Sequence, residues 1–323
     1  MMRAIDADTT RRHLGFAPLI DALRLMFSAG CEVPLRHTHT VGAGTLLLMP
    51  AWRAGRRLGL KTVTIFPGNS ALGQPGLHSI YLLFDASTGV PLAQIDGDQI
   101  TSRRTAAAAA LAASFLARAD ASRLLVVGTG RVAALLAEAM HVVRPITEVV
   151  VWNHRAASAE AQAGRLREQG FKAHASTDLA AAVAAADIVS CATLSTTALI
   201  RGEWLQPGTH LDLIGSFTPA MCEADAVCFQ RSRVYVDTLE ALAKSGDLLR
   251  ASEAGAFDEK NLAGTLAELC RGTRSGRGDA TQITLFKAVG SALEDLAAAE
   301  LVFEHAEADS LSLASAATPD RLA

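Results

Sequence analysis

Leu124-Leu-Val-Val-Gly-Thr-Gly-Arg-Val-Ala133 is an apolar run that breaks off in two glycines and resumes with helix-forming residues. A short apolar run closed by glycine suits a parallel strand covered on both faces. Gly128 permits a tight turn, Gly130 lets the backbone approach a pyrophosphate, and Ala133 is small enough for a helix to lie close to the sheet. The amides of Arg131 and Val132, opening that helix, then face phosphate with the positive end of the helix dipole behind them. The stretch predicts the first strand, turn and helix of a dinucleotide-binding domain.

A second β-rich run, Glu148-Val-Val-Val-Trp152, follows at the distance of one βαβ unit and ends in Asn153-His154-Arg155. An NAD site usually places an acid there for the ribose 2′-hydroxyl, whereas an NADP site drops the acid and adds a cation for the 2′-phosphate. Asn153, beside His154 and Arg155, therefore predicts NADP(H), with NAD(H) as the alternative cofactor. Strand and helix patterns alternate onward: strand 124–127, helix 131–141, strand 148–152, helix 156–169, strand 171–174, helix 178–186 and strand 187–192. Further strands are expected at His210–Ile214 and Val234–Val236. The pattern predicts an α/β fold, a Rossmann domain with a doubly wound parallel sheet.

Before this domain the order differs. Phe16–Phe27 carries Leu19, Ile20, Leu23 and Phe27 at helical spacing. Short β-like runs then follow at 36–41, 45–49, 58–66, 80–85 and 90–95, which predicts an α+β domain with antiparallel pairing. The turn-rich stretch Pro67–His78 reads as a loop, and Ile100–Ala119 as an alanine-rich helix capped by Thr101 or Ser102. A last long helix is expected from about Thr281, with Ile283, Phe286, Val289, Leu293 and Leu296 on its apolar face, and a frayed end over the last dozen residues, which finish in Ala317-Thr-Pro-Asp-Arg-Leu-Ala323. The expected domains are 1–118 plus 292–323, for substrate binding and dimerisation, and 119–291, for the dinucleotide.

The 323 residues suffice for two such cores. A net charge of −3 offers neither a nucleic-acid surface nor a polybasic membrane patch, and no apolar stretch reaches spanning length. No signal-peptide pattern occurs at Met1-Met-Arg-Ala-Ile-Asp6. The five cysteines, at 31, 191, 222, 228 and 270, lack Cys-x-x-Cys spacing and read as reduced thiols of a cytoplasmic protein. His37 and His39 share a strand face without a nearby carboxylate or cysteine ligand, so no metal site is expected.

Three cations stand in apolar or glycine-rich surroundings: Arg36, Lys61 and Arg104. Lys61 falls on a strand with largely apolar neighbours, where a cation is costly without a negative partner. Arg104 falls in the expected first turn of its helix, where the dipole disfavours it, and so asks for an anion. The plainer alternatives are a solvated helix end at Arg103-Arg104 and an edge-strand charge at Lys61.

Leu47-Leu-Met-Pro50, Gly59-Leu-Lys-Thr-Val63, Ile100-Thr-Ser-Arg-Arg-Thr-Ala-Ala107, Gly128-Thr-Gly130, Ile214-Gly-Ser-Phe-Thr-Pro219 and Thr284-Leu-Phe-Lys-Ala-Val-Gly290 together resemble the ornithine cyclodeaminase and mu-crystallin family across nearly the whole chain. The resemblance implies a homodimer formed through the first domain, completed by the C-terminal helix. It implies that Arg36, Lys61 and Arg104 hold the substrate carboxylate and line the reaction site. It implies cofactor contacts at Thr193, Leu194 and Ile214, a contact to the nicotinamide end at Val289, and ligand-pocket positions at His78 and Glu240.

One departure separates the family's activities. Cyclodeaminases carry a catalytic acid in a Gly-Gly-Asp-x-Pro-Gly-Lys segment; here Phe217 stands at the acid's place and Met221 at the lysine's. A phenyl ring cannot take a proton from the ornithine side-chain amine. With Asn153 in place of an acidic ribose ligand, the expectation is an oxidoreductase of amino acid metabolism. It uses NADPH to reduce a cyclic imino acid of the Δ1-pyrroline-2-carboxylate or Δ1-piperideine-2-carboxylate type. The alternatives are ornithine cyclodeamination and a mu-crystallin-like binder of NADPH and ligand without significant turnover.

Overall fold

The computed structural model describes residues 2–316, and the chain forms two compact units. One holds the chain up to Arg104 and again from Ala292; the other is Thr105–Ser291. The division falls inside a helix that ends just before the expected boundary at 118.

The first unit comprises β1 (Arg3–Ile5), α1 (Ala7–His13), α2 (Phe16–Ala29), β2 (His37–Val41), β3 (Gly44–Arg53), β4 (Arg57–Ile65), β5 (Leu77–Asp85) and β6 (Pro91–Asp96), then the start of α3 (Gly97–Leu116) and the C-terminal helix Ala292–Ala316. Its six strands lie in the order β1-β6-β5-β4-β3-β2, antiparallel except for β1 beside β6. Strand β1 and helix α1 are not anticipated, because so short a strand shows no alternation to read. Helix α2 buries Leu19, Ile20, Leu23 and Phe27, as its spacing requires. The expected loop at 67–78 is largely ordered: Pro67–Leu72 forms a 3-10 turn, and His78 is already a residue of β5.

Side chains alternate across this sheet. Met49, Ala51, Lys61, Val63, Tyr81 and Leu83 are buried on the face against which the C-terminal helix packs. Leu48, Pro50, Trp52, Leu58, Leu60 and Leu82 stand half-buried on the other.

The second unit contains β7 (Arg123–Val127), α4 (Leu136–Val143), β8 (Glu148–Trp152), α5 (Ala156–Glu168), β9 (Lys172–Ser176), α6 (Leu179–Ala185), β10 (Ile188–Cys191), β11 (His210–Leu213), α7 (Ala226–Arg231), β12 (Arg233–Val236), α8 (Glu240–Lys244), α9 (Gly246–Glu253), β13 (Gly264–Thr265), α10 (Leu266–Arg271) and β14 (Thr284–Lys287). All eight strands are parallel, in the order β13-β12-β14-β11-β10-β7-β8-β9. From β7 the chain winds outward through β8 and β9, then returns to the other side through β10 and β11. This is the doubly wound sheet, with its reversal between β7 and β10, where such folds open a crevice at the carboxyl ends of the strands.

Three expectations are corrected. Thr284–Lys287 is a strand paired on both sides, by β11 and β12, with all four residues buried, and the C-terminal helix begins only at Ala292. A strand buried on both faces loses its period of two, and the apolar residues from Ile283 onward happen to fit a helical spacing. The helix after the glycine turn does not start at Arg131: a 3-10 turn over Ala133–Leu135 comes first. Helix α3 starts at Gly97 rather than Ile100, so neither Thr101 nor Ser102 caps it; Asp96 does, accepting the Gln99 amide at 2.7 Å. Arg104 is then in the second turn, where the dipole weighs less against it. Of the last dozen residues, expected to be frayed, 312–316 continue the C-terminal helix, and 317–323 lie outside the described residues.

Candidate functional site

In the first unit the sheet and two helices bring opposite charges together out of water. Lys61, in the middle of β4, is 2% exposed. Its Nζ lies 2.7 Å from Oδ2 of Asp295 and donates to Oγ1 of Thr101 at 3.3 Å. Arg104, on α3, donates from Nε to Oδ1 of Asp295 at 2.9 Å and from Nη1 to Oε2 of Glu294 at 2.6 Å. Glu294 and Asp295 sit in the first turn of the C-terminal helix, the end whose dipole favours carboxylates. The cluster holds two cations and two anions, which is what permits ionised groups at this depth. Burial pulls the Lys61 ammonium down to about 8, with Asp295 working against the fall. Burial also opposes the charges of Arg104 and Asp295, but their ionic partners win: Asp295 and Glu294 raise the guanidinium, and Lys61 and Arg104 lower the Asp295 carboxyl.

The anion that Arg104 asks for is thus supplied by the chain itself. Nothing in the sequence reading singled out Glu294 or Asp295, although an adjacent acid pair in the apolar stretch Ser291–Ala299 was a visible signal. The other candidates lie outside this cluster. Arg36 is half-buried, one residue before β2; carrying the register one step further puts it opposite Met49, in the row of Lys61 but two strand spacings, about 10 Å, away. His78 is exposed on β5 opposite Thr64. Glu240 belongs to the second unit, opens α8 and pairs with Lys244.

In the second unit the nucleotide candidates converge on the carboxyl edge of the sheet. Gly128 follows β7 with φ of +116°, and a Cβ there would meet the Ala192 carbonyl at 2.6 Å, so both conformation and space demand glycine. A Cβ on Gly130 would meet nothing within 4 Å, which leaves the turn open on the side where a phosphate would approach. Arg131 is exposed and Val132 half-buried in the turn that follows. After β8, Asn153 donates from Nδ2 to Oγ1 of Thr129 at 3.1 Å and accepts the Arg155 amide at 2.9 Å, tying that strand end to the glycine turn. His154 and Arg155 are exposed. Thr193 and the exposed Leu194 follow β10, Ile214 follows β11, and Val289 follows β14. The Val289 and Gly290 amides both donate to Oδ2 of the buried Asp237, at 2.8 and 2.7 Å, fixing the loop that Val289 occupies.

The sequence model of the ornithine cyclodeaminase/mu-crystallin family matches residues 11–310. The chain belongs to this family. Within the ornithine cyclodeaminase/mu-crystallin family, the Δ1-pyrroline-2-carboxylate reductase of Colwellia psychrerythraea is 34% identical over 313 residues, 94% of this chain and 99% of that one. Among solved structures, the Thermococcus litoralis Δ1-pyrroline-2-carboxylate reductase, in complex with NADH and L-proline, superposes with a TM-score of 0.91 at 30% identity, covering 96% and 98% of the two chains. An archaeal alanine dehydrogenase dimer with bound NAD gives 0.90 at 28% identity, covering 96% and 97%.

The segment Gly215–Met221 leaves β11. Phe217, which the sequence resemblance sets at the cyclodeaminase acid's position, is 41% exposed, while Ser216 before it is buried and donates to the Met221 carbonyl at 2.9 Å. No carboxylate stands at that position.

Proposed function

We propose that this chain is a reductase that uses NADPH to convert a cyclic imino acid, of the Δ1-pyrroline-2-carboxylate or Δ1-piperideine-2-carboxylate type, to the amino acid. The observation that carries the reading is the buried Lys61, held by Asp295 beside Arg104. Arg104 gives Nε and Nη1 to the chain's own carboxylates, and its remaining donors, with Arg36, address the substrate carboxylate. Lys61 gives a proton to the imine nitrogen, and burial keeps its pKa low enough for that transfer near neutral pH. A protonated C=N carbon is the stronger electrophile.

The glycine turn fits a dinucleotide, because its outer side is open at Gly130. In this reading Gly128–Val132 receives the phosphates, Asn153, His154 and Arg155 the 2′-phosphorylated ribose, and Thr193, Leu194, Ile214 and Val289 the rest. When bound, the reduced nicotinamide supplies the electron pair and hydrogen that the imine carbon takes up. Phe217 speaks against ornithine cyclodeamination, which needs an acid there.

The direct test follows absorbance of NADPH with purified protein and each imino acid. Oxidation with at least one of them, faster with NADPH than with NADH, is expected. Ammonia released from ornithine, with neither imino acid reduced, would reverse the assignment, and tight ligand binding without turnover would favour the binding-protein alternative.

The reading also includes a homodimer. Leu48, Pro50, Trp52, Leu58, Leu60 and Leu82 form a half-exposed apolar sheet face whose reverse is buried, and a second copy of the chain is the occupant that suits it. Light scattering should give twice the chain mass of 33.8 kDa; the mass of a single chain at micromolar concentration would exclude the dimer. Among the described residues no helix is long and apolar enough to cross a membrane. All five cysteines are free, which agrees with the cytoplasm as the compartment proposed here.

A further inference from the structure

Behind the carboxyl edge of the parallel sheet lies a chain of fully buried charges that neither the glycine turn nor the Lys61 cluster uses. It starts at Lys287, the last residue of β14, whose Nζ is 3.3 Å from Oδ2 of Asp247. Asp247, in the first turn of α9, accepts the backbone amides of Glu223 and Ala224 on Oδ1 at 2.7 and 3.1 Å. The Glu223 carboxylate in turn reaches two different loops. Its Oε1 accepts the Thr193 amide and the Thr193 hydroxyl, both at 2.8 Å, and its Oε2 accepts the Gly215 amide at 2.6 Å. These loops leave β10 and β11, and they pass so close that a Cβ on Gly215 would lie 2.0 Å from the Thr193 carbonyl. Lys287, Asp247 and Glu223 are each inaccessible to solvent.

Burying a glutamate this deeply is unfavourable unless its oxygens are fully engaged. Here each oxygen accepts from a donor of its own loop, so a single carboxylate ties the two loops together. We propose that Glu223 is a positioning residue of the nucleotide site: it clasps the loops after β10 and β11 in one arrangement, so that Thr193, Leu194 and Ile214 are preset for the dinucleotide. This inference rests on the NADPH-dependent reading given above. Lys287 and Asp247 hold the clasp from behind.

The clasp works only as an anion. All three donors need acceptor lone pairs, and a protonated Glu223 has to surrender one of them. The groups facing it are Lys287 on β14, Asp247 on α9 and the Cys191 thiol at the end of β10, which burial and the glutamate together push well above its ordinary range. Burial raises the Glu223 carboxyl to about 7, with Lys287 opposing and Asp247 adding to the rise. Protonation as pH falls through that value therefore loosens the loops, and dinucleotide affinity falls with it.

The test is NADPH binding, followed by protein fluorescence across about pH 6 to 8.5, for the native protein and Glu223→Gln, with thermal unfolding in parallel. Titration of the 2′-phosphate is common to both proteins, so the difference between the curves isolates Glu223. At the alkaline end the variant should bind about tenfold more weakly, the loss of a charged hydrogen-bond acceptor, and it should lack the native weakening below about pH 7. Lys287→Met is the second variant, needed if Glu223→Gln fails to fold. Removing that cation raises the glutamate pKa, so the acid limb should move to higher pH by about one unit. Glu223→Gln binding with native affinity and native pH dependence, or a limb unmoved by Lys287→Met, overturns the clasp. Native protein that binds no nicotinamide dinucleotide at any pH overturns instead the reading on which the clasp rests.

Discussion

Lys61→Ala should lower turnover of the imino acid by about 10²–10⁴-fold while leaving NADPH affinity nearly unchanged. The first half follows from the role of the ammonium as proton donor; the second follows from its place in the first unit, whereas every proposed dinucleotide contact is in the second. Loss of turnover alone does not separate a missing proton from a disturbed fold, because the variant takes from Asp295 one of the two cations paired with it among the described residues. Lys61→Arg makes that separation. A guanidinium keeps the positive charge against Asp295 but does not give up its proton near neutral pH, so this variant should remain folded, bind NADPH and still turn over slowly. Full activity in Lys61→Arg would exclude proton donation. The pH dependence has a definite sign. Burial lowers the Lys61 pKa to about 8, and a donor must carry its proton, so kcat/KM should fall as pH rises through that value. A profile flat to pH 10 or beyond, near the ordinary lysine range, would mean that the step draws its proton from elsewhere.

Some of this was written plainly in the sequence and some was not. Gly128 announced itself because turn geometry and the approach of the Ala192 carbonyl both forbid a side chain there, and such a demand leaves only one residue type. Lys61 and Arg104 stood out because cations in apolar surroundings are costly wherever they fall. Their partners did not, since Glu294 and Asp295 also look like ordinary acids at a helix start, and the beginning of that helix was misplaced to about Thr281. The misplacement came from Thr284–Lys287, a strand buried on both faces and therefore without the alternation that marks strands. Glu223 and Asp237 were the least legible. Each spends its carboxylate on backbone amides of loops distant in the chain, an interaction that leaves no pattern of spacing or residue type.

Asp295→Asn tests whether the charge cluster of the first unit is a single coupled device. Removing the charge leaves Lys61 and Arg104 with Glu294 as the one remaining carboxylate of the cluster, and breaking a buried pair from one side costs about 3–5 kcal/mol. For a chain of this size that is a fall in Tm of about 5–15 °C. Asp295 also raises the Lys61 pKa against the effect of burial, so in Asp295→Asn the alkaline limb of kcat/KM should move to lower pH. A purely structural role for Asp295 would lower Tm without moving that limb. The double variant Lys61→Met, Asp295→Leu completes the cycle: it removes both members of the pair and leaves Arg104 with Glu294, a balanced couple at 2.6 Å. Replacing a buried ion pair with apolar side chains of similar volume is often neutral. The double variant should therefore recover most of the stability lost in Asp295→Asn, yet remain as inactive as Lys61→Ala. Losses in Tm that simply add would mean that the two residues stabilise the fold independently, and that the 2.7 Å contact between them contributes little.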